Sequence, residues 1–180
     1  MKKELTVLVG ALALCGISMA DEPWNLGTQR SGTKQMGVSV RAGLMFPSAK
    51  SSRDIGAQWF AVGLDYKMGD LRFGQTGNER SMQWSLSLDY YGKGDSSCVP
   101  ILVNIVQRNE AVYYFGGIGI GFARVPISSV EIANRTKLCY GFGVGYDFQT
   151  GPTPLFVEGR WFGCSESKLN GLGLMIGARF

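Results

Sequence analysis

An all-β fold, an eight-stranded antiparallel up-and-down barrel that crosses a membrane, is predicted by three features of the sequence. Segments of roughly ten residues alternate strictly in polarity, the period of a strand and the length that spans a bilayer when tilted. One face of each segment is bulky and apolar, while the opposite face is crowded with Gly, Ser and Ala. Residues 1–20 read as an export signal, with Lys2 and Lys3, an apolar run from Leu5 to Ile17, and the small-x-small site Ser18-Met19-Ala20 before Asp21-Glu22.

The strands follow in order. Residues 21–34 are polar, with Pro23, Gly27 and Gly32, and read as an N-terminal lead to a barrel over residues 35–180. Strand one, Gln35 to Phe46, sets Val38, Val40, Ala42, Leu44 and Phe46 against Ser39, Arg41, Gly43 and Met45; Pro47 to Asp54 reads as a loop. Strand two, Ile55 to Met68, carries Phe60, Val62, Leu64 and Tyr66 against Ala61, Gly63 and Asp65, and Gly69 to Arg80 as a long polar connection. Strand three, Ser81 to Tyr91, opposes Met82, Trp84, Leu86, Leu88 and Tyr90 to Gln83, Ser85, Ser87 and Asp89; Gly92 to Ser97 is a loop. Strand four, Cys98 to Gln107, alternates weakly and ends in a tight turn at Arg108-Asn109-Glu110.

Strand five, Val112 to Arg124, sets Ile118, Ile120 and Phe122 against Gly117, Gly119, Gly121 and Ala123, and Val125 to Arg135 is a loop. Strand six, Thr136 to Phe148, sets Leu138, Tyr140, Phe142, Val144, Tyr146 and Phe148 against Lys137, Cys139, Gly141, Gly143, Gly145 and Asp147. Gln149 to Pro154 is a turn, and strand seven runs from Leu155 to Cys164. After Ser165 to Leu169 the last strand, Asn170 to Phe180, alternates most cleanly: Leu172, Leu174, Ile176, Ala178 and Phe180 against Gly171, Gly173, Met175, Gly177 and Arg179.

Parity alone does not say which face is inside. Small residues suit the interior of an eight-stranded barrel, which is only just wide enough for side chains. Tyr66, Tyr90, Tyr146, Phe148 and Phe180 sit on the apolar parity toward strand ends, as interface girdles do. The other parity holds charges that nearly cancel: Arg41, Lys137, Arg160 and Arg179 against Asp65, Asp89, Asp147 and Glu158. Lys67 shares that parity, at a strand end within reach of water. A narrow lumen requires such a balance, because buried charges must be paired. The apolar face is therefore predicted to face lipid.

This pattern, with its export signal and terminal Phe180, resembles the small OmpA/OmpX-type eight-stranded bacterial outer-membrane barrels. The resemblance implies insertion into outer-membrane lipid, handling by the barrel-assembly machinery with Phe180 as part of the signal read, and a role in envelope integrity or surface interactions. It implies no cofactor and no metal. The alternatives are an adhesin or receptor acting through the outer loops, and a soluble periplasmic lipocalin-like carrier of an apolar ligand. That last family's Gly-x-Trp signature occurs only as Gly159-Arg160-Trp161, at the wrong end of the chain.

Composition narrows the function. Charged residues make up 18% of the chain, below the roughly 25% of a soluble domain. Removing residues 1–20 takes away Lys2, Lys3 and Glu4 and leaves 16 basic and 13 acidic residues, a net charge of +3. No basic run marks a nucleic-acid surface. The chain has no histidine, so the usual general base and Ser-His-Asp or Cys-His arrangements are missing. Barrel enzymes that acylate or deacylate lipid A rely on that residue, and the reading here is non-enzymatic. The glycine runs Gly116 to Gly121 and Gly141 to Gly145 lie within strands and open no helix, so their phosphate-loop signal is negligible and they read as lumen packing beside large neighbours.

Three cysteines remain after export: Cys98, Cys139 and Cys164, in no zinc-type spacing. A symmetric hairpin centred near Gly151-Pro152 makes Asp147 oppose Phe156, Gly143 oppose Arg160 and Cys139 oppose Cys164. Two readings of that last pair stand: a cross-strand disulfide, or two small lumen fillers that never bond. Cys98 would be the leftover thiol.

Overall fold

The computed structural model describes residues 37–71, 82–109, 111–126, 132–148 and 154–180. The expected signal peptide (1–20) and lead (21–34) lie outside the described residues, as do most of the connection after strand two and residues of three further connections. The elements are β1 (Val38–Pro47), α1 (Lys50–Ile55), β2 (Trp59–Leu71), β3 (Met82–Lys93), β4 (Ser96–Asn109), β5 (Val112–Pro126), β6 (Ile132–Phe148), β7 (Leu155–Cys164), a 3-10 turn (Ser167–Leu169) and β8 (Gly171–Arg179). The strands pair in sequence order, every neighbour antiparallel, and β8 returns to β1 to close the barrel. The seam runs from Ser39 opposite Arg179 to Pro47 opposite Gly171. It is extended by Phe180, whose N–H donates to the Val38 carbonyl at 2.8 Å. Closure pairs each strand on both sides through the body of the barrel, which is how a barrel avoids exposed backbone donors and acceptors there.

Alternation places the predicted faces consistently. Ile118, Ile120 and Phe122 of β5, Leu138 and Phe142 of β6, and Leu174 and Ile176 of β8 point outward, each 50–59% exposed. Arg41, Asp89, Asp147, Glu158, Arg160 and Arg179 point inward and are buried. The polarity of an ordinary soluble domain is thus inverted.

Several boundaries differ from the sequence expectation, among them the loop expected at Val125–Arg135, where Val125 pairs with Ala133 and Pro126 with Ile132 as the strands run on. The loop expected at Gly92–Ser97 is a two-residue turn, because Lys93 still pairs with Ser96. Gly94 sits there at φ 60°, in the left-handed region that glycine enters without a steric penalty. The loop expected at Pro47–Asp54 contains the helical turn α1. Strand four continues through the expected turn at Arg108, pairing Arg108 with Tyr113 and Asn109 with Val112. In β2 the register slips between Lys67 and Gly69, so Met68 is an extra residue. Such a bulge re-phases everything beyond it. Lys67 and Asp70, three apart, consequently both point inward, and their side chains pair at 3.0 Å. Lys67 is 4% exposed and does not reach water as expected.

Large aromatic rings fill the lumen over glycines on the opposing strand. Tyr113 lies over Gly145, its register partner, and a Cβ added at Gly145 would collide with the phenol ring. Gly116 points outward, with nothing within 4 Å of an added Cβ. We predict that Gly145→Ala destabilises the barrel by about 1–3 kcal/mol, the usual range for overpacking a filled interior. Gly116→Ala is expected to leave stability within about 0.5 kcal/mol. Urea midpoints of the refolded variants in detergent measure both.

Candidate functional site: a lumen filled in layers

The interior is stacked in three levels along the barrel axis. Nearest the end that holds Val38 and Phe180, Asp147 of β6 accepts from Arg108 of β4 and from Arg179 of β8, the latter at 2.9 Å. Arg108 also donates to Gln83 at 3.4 Å. The Arg179 guanidinium lies 4.4 Å from the Phe156 ring centroid and 4.8 Å from that of Tyr113. This is a spacing at which a desolvated cation is attracted to the ring face.

In the middle level Asp89 of β3 bridges two arginines. Arg41 of β1 donates to one of its oxygens at 2.6 Å, and Arg160 of β7 to the other at 2.7 Å. Arg41 also donates to Asp65. Arg160 turns its Nε to Glu158 at 2.8 Å and stacks 4.4 Å from the Phe115 centroid. The Tyr113 hydroxyl donates to the second Glu158 oxygen at 3.0 Å and so links the middle level to the first.

The charges balance. Arg41, Lys67, Arg108, Arg160 and Arg179 face Asp65, Asp70, Asp89, Asp147 and Glu158, five against five among the described residues. Seven of the eight charges expected in the lumen are in this set. Lys137 is the correction: it pairs with Glu166 at 3.6 Å at the outer rim, where its side chain is 23% exposed. It lies one inward-facing position beyond Cys139, too far out to meet the middle level. Arg108 takes its place in the balance. The signal for Arg108 was its shared parity with Leu102, Asn104 and Val106, hidden by reading a turn at that point.

The outer level is apolar. Met45, Trp59, Tyr91, Leu102, Phe162 and Met175 are buried there with Cys98, Cys139 and Cys164. Cys139 opposes Cys164, in the register expected from the hairpin. All three cysteines are free thiols. Cys98, expected to stand apart, has its sulfur 4.0 Å from that of Cys139. Leu169 of the 3-10 turn, fully buried, lies over this level. The turn is tied to α1 by the Ser52 hydroxyl, which donates to the Lys168 carbonyl at 2.5 Å.

A cavity of about 20 Å³ is lined by Asp65, Ser85, Asn104, Arg108, Tyr113, Glu158, Arg160 and Arg179. That is space for about one water molecule. The two carboxylates around it are engaged by guanidinium groups, Asp65 by Arg41 and Glu158 by Arg160.

No protein-family model matches the chain, and no curated protein matches it. The class that strand order and register define is the closed eight-stranded antiparallel barrel. Among solved structures, the chain is similar to the Yersinia pestis outer membrane protein Ail in a phospholipid nanodisc, at 20% identity and a TM-score of 0.44 over 79% of this chain and 98% of that one. It is similar to the N-terminal β-barrel domain of Pseudomonas aeruginosa OprF at 11% identity and a TM-score of 0.47, over 79% and 96%. The outer membrane enzyme PagL is similar at 16% identity and a TM-score of 0.45, over 77% and 97%.

Replacing Arg160 with Met removes a partner from both Asp89 and Glu158. The expected loss is about 3–5 kcal/mol, the cost of stranding one half of a buried pair. Arg53→Met, on the exposed face of α1, is expected to change stability by less than about 0.5 kcal/mol. Adding Asp89→Asn to Arg160→Met should recover part of the loss, because the two residues share one network. Denaturant titration of the four proteins tests the coupling.

Proposed function

We propose that this is a non-enzymatic integral protein of the bacterial outer membrane, exported with removal of residues 1–20, that supports envelope integrity or surface interactions without forming a wide pore. One observation carries the reading: an outward belt of mostly aliphatic and aromatic side chains encloses an ion-paired interior. Water solvates such a belt poorly, and a monomeric soluble protein rarely exposes so large an apolar surface. Hydrocarbon solvates it well. Tyr146 and Phe148, stacked edge to face at 5.3 Å near the end of β6, and exposed Phe180 suit a girdle at one interface. The missing histidine and the filled lumen support a role without catalysis or wide conduction.

The rim away from the chain terminus favours contact with anionic groups. Among the described residues it carries Lys50, Arg53, Lys93, Arg124, Arg135, Lys137 and Lys168 against Asp54, Asp95 and Glu166. Two of these acids are already paired, Asp95 with Arg124 and Glu166 with Lys137. The remaining cations suit phosphate-bearing lipid headgroups, which gives outer-membrane lipid as the partner.

Fractionation tests the reading. The protein should partition with the outer membrane, require detergent, and migrate differently on a gel with and without heating. Recovery as a detergent-free soluble protein overturns it. Phe180 extends the closing seam and, on this reading, is part of what the barrel-assembly machinery recognises. Deleting it should lower the folded amount in the outer membrane severalfold, read by the unheated band; unchanged levels argue against that role.

A further inference from the structure

We propose that Cys98, Cys139 and Cys164 form a three-thiolate site for a single thiophilic d¹⁰ metal ion, of the class of Cu(I), Zn(II) and Cd(II). The three sulfurs lie within 4.8 Å of one another and all three residues are buried. They come from three strands, β4, β6 and β7, separated by long stretches of chain. Register brings Cys139 and Cys164 together directly. Cys98 reaches them across the intervening β5, and Gly121 makes this crossing feasible. A Cβ at Gly121 would collide with the Cys139 sulfur and stand 3.1 Å from the Cys98 sulfur. The missing side chain is thus the space in which the thiols converge.

The distances suit coordination. At the usual metal–sulfur bond of about 2.3 Å, a trigonal planar set has sulfurs about 4.0 Å apart and a tetrahedral face about 3.8 Å. The Cys98–Cys139 separation of 4.0 Å already meets the first. The other separations are at most 4.8 Å, so they need to close by no more than about 0.8 Å to reach the trigonal spacing, which side-chain rotation supplies. Soft thiolates select Cu(I) and Zn(II) over the harder cations.

The surroundings point the same way. Tyr91 is the register partner of Cys98, and its buried hydroxyl lies against the Cys98 thiol. A phenol O–H so placed can donate to the Cys98 thiolate that metal binding creates, as groups that hydrogen-bond metal ligands do. Phe162, Leu102 and Leu169 exclude water around the sulfurs, as a shell that strengthens thiolate–metal binding does. Binding replaces three S–H bonds by three sulfur–metal bonds and releases up to three protons, with no change of oxidation state.

Cadmium is the probe that tests this. Reduced, refolded protein in detergent is titrated with Cd²⁺ while thiolate-to-cadmium charge-transfer absorption is followed. The proposal expects saturation at one ion per barrel, proton release on binding, and protection of all three thiols from alkylation. Cys98→Ser should weaken binding at least about a hundredfold, beyond the roughly 10–100-fold that outer-shell changes cost. Unheated gel migration verifies that each variant is folded. If Cys98→Ser does not fold, alkylation protection in the unsubstituted protein decides alone. Absence of the band in folded, reduced protein overturns the site, as does binding unchanged by Cys98→Ser. A Cys139–Cys164 disulfide in protein taken from native membranes also overturns it, because two of the three ligands are then consumed.

Discussion

Asp89 holds one guanidinium on each of its oxygens, and the interior is arranged about that fact. Arg41, Asp89 and Arg160 belong to β1, β3 and β7, no two of which are adjacent in the barrel. The bridge therefore spans the lumen and ties together strands that share no backbone hydrogen bonds. Burying any one of these ions alone would carry a large desolvation penalty. Burying them as a connected set, with Asp65, Glu158 and Tyr113, satisfies most of the donors and acceptors involved. The set also constrains register. A slip of one residue in β3 would turn Asp89 onto the apolar outer face and strand two arginines inside.

Outside the barrel the same parity rule has the opposite consequence. Each residue not spent on the lumen faces the surroundings, and among these large apolar side chains predominate. The paired interior and the greasy exterior are thus two results of one alternating sequence. Around the filled lumen the accessible surfaces are the outward apolar belt, the cationic rim, and the cap formed by α1 and the 3-10 turn. The thiol level beneath that cap is the one part of the interior that is built from soft donors instead of paired ions.

Much of this was legible in the sequence where local rules suffice. Strand eight and the β6–β7 hairpin follow from alternation and a symmetric turn, and Cys139 opposes Cys164 in the expected register. Seven of the eight expected lumen charges converge because parity alone sends them inward. Alternation failed where it was interrupted. The bulge at Met68 shifts phase, so the pairing of Lys67 with Asp70 was hidden by an odd separation of three. Arg108 was read into a turn because charged residues near a strand end suit turns equally well. Lys137 has the right parity but the wrong height, and height along a tilted strand depends on barrel shear, which no single segment encodes. The approach of Cys98 to Cys139 depends on curvature across β5 and on the bare backbone at Gly121, a three-strand property that pairwise register does not reveal.

The central claim is that one parity faces hydrocarbon and the other a sealed lumen. Trp84 and Trp161 lie on the outward parity, and Trp59 is fully buried on the inward one. Single-tryptophan variants, with the other tryptophans replaced by Phe, can be reconstituted in bilayers whose acyl chains carry bromine, a short-range quencher. The account predicts strong quenching of Trp84 and Trp161 and little of Trp59. Quenching of Trp59 beyond that of the other two, or no quenching at any position, would contradict it.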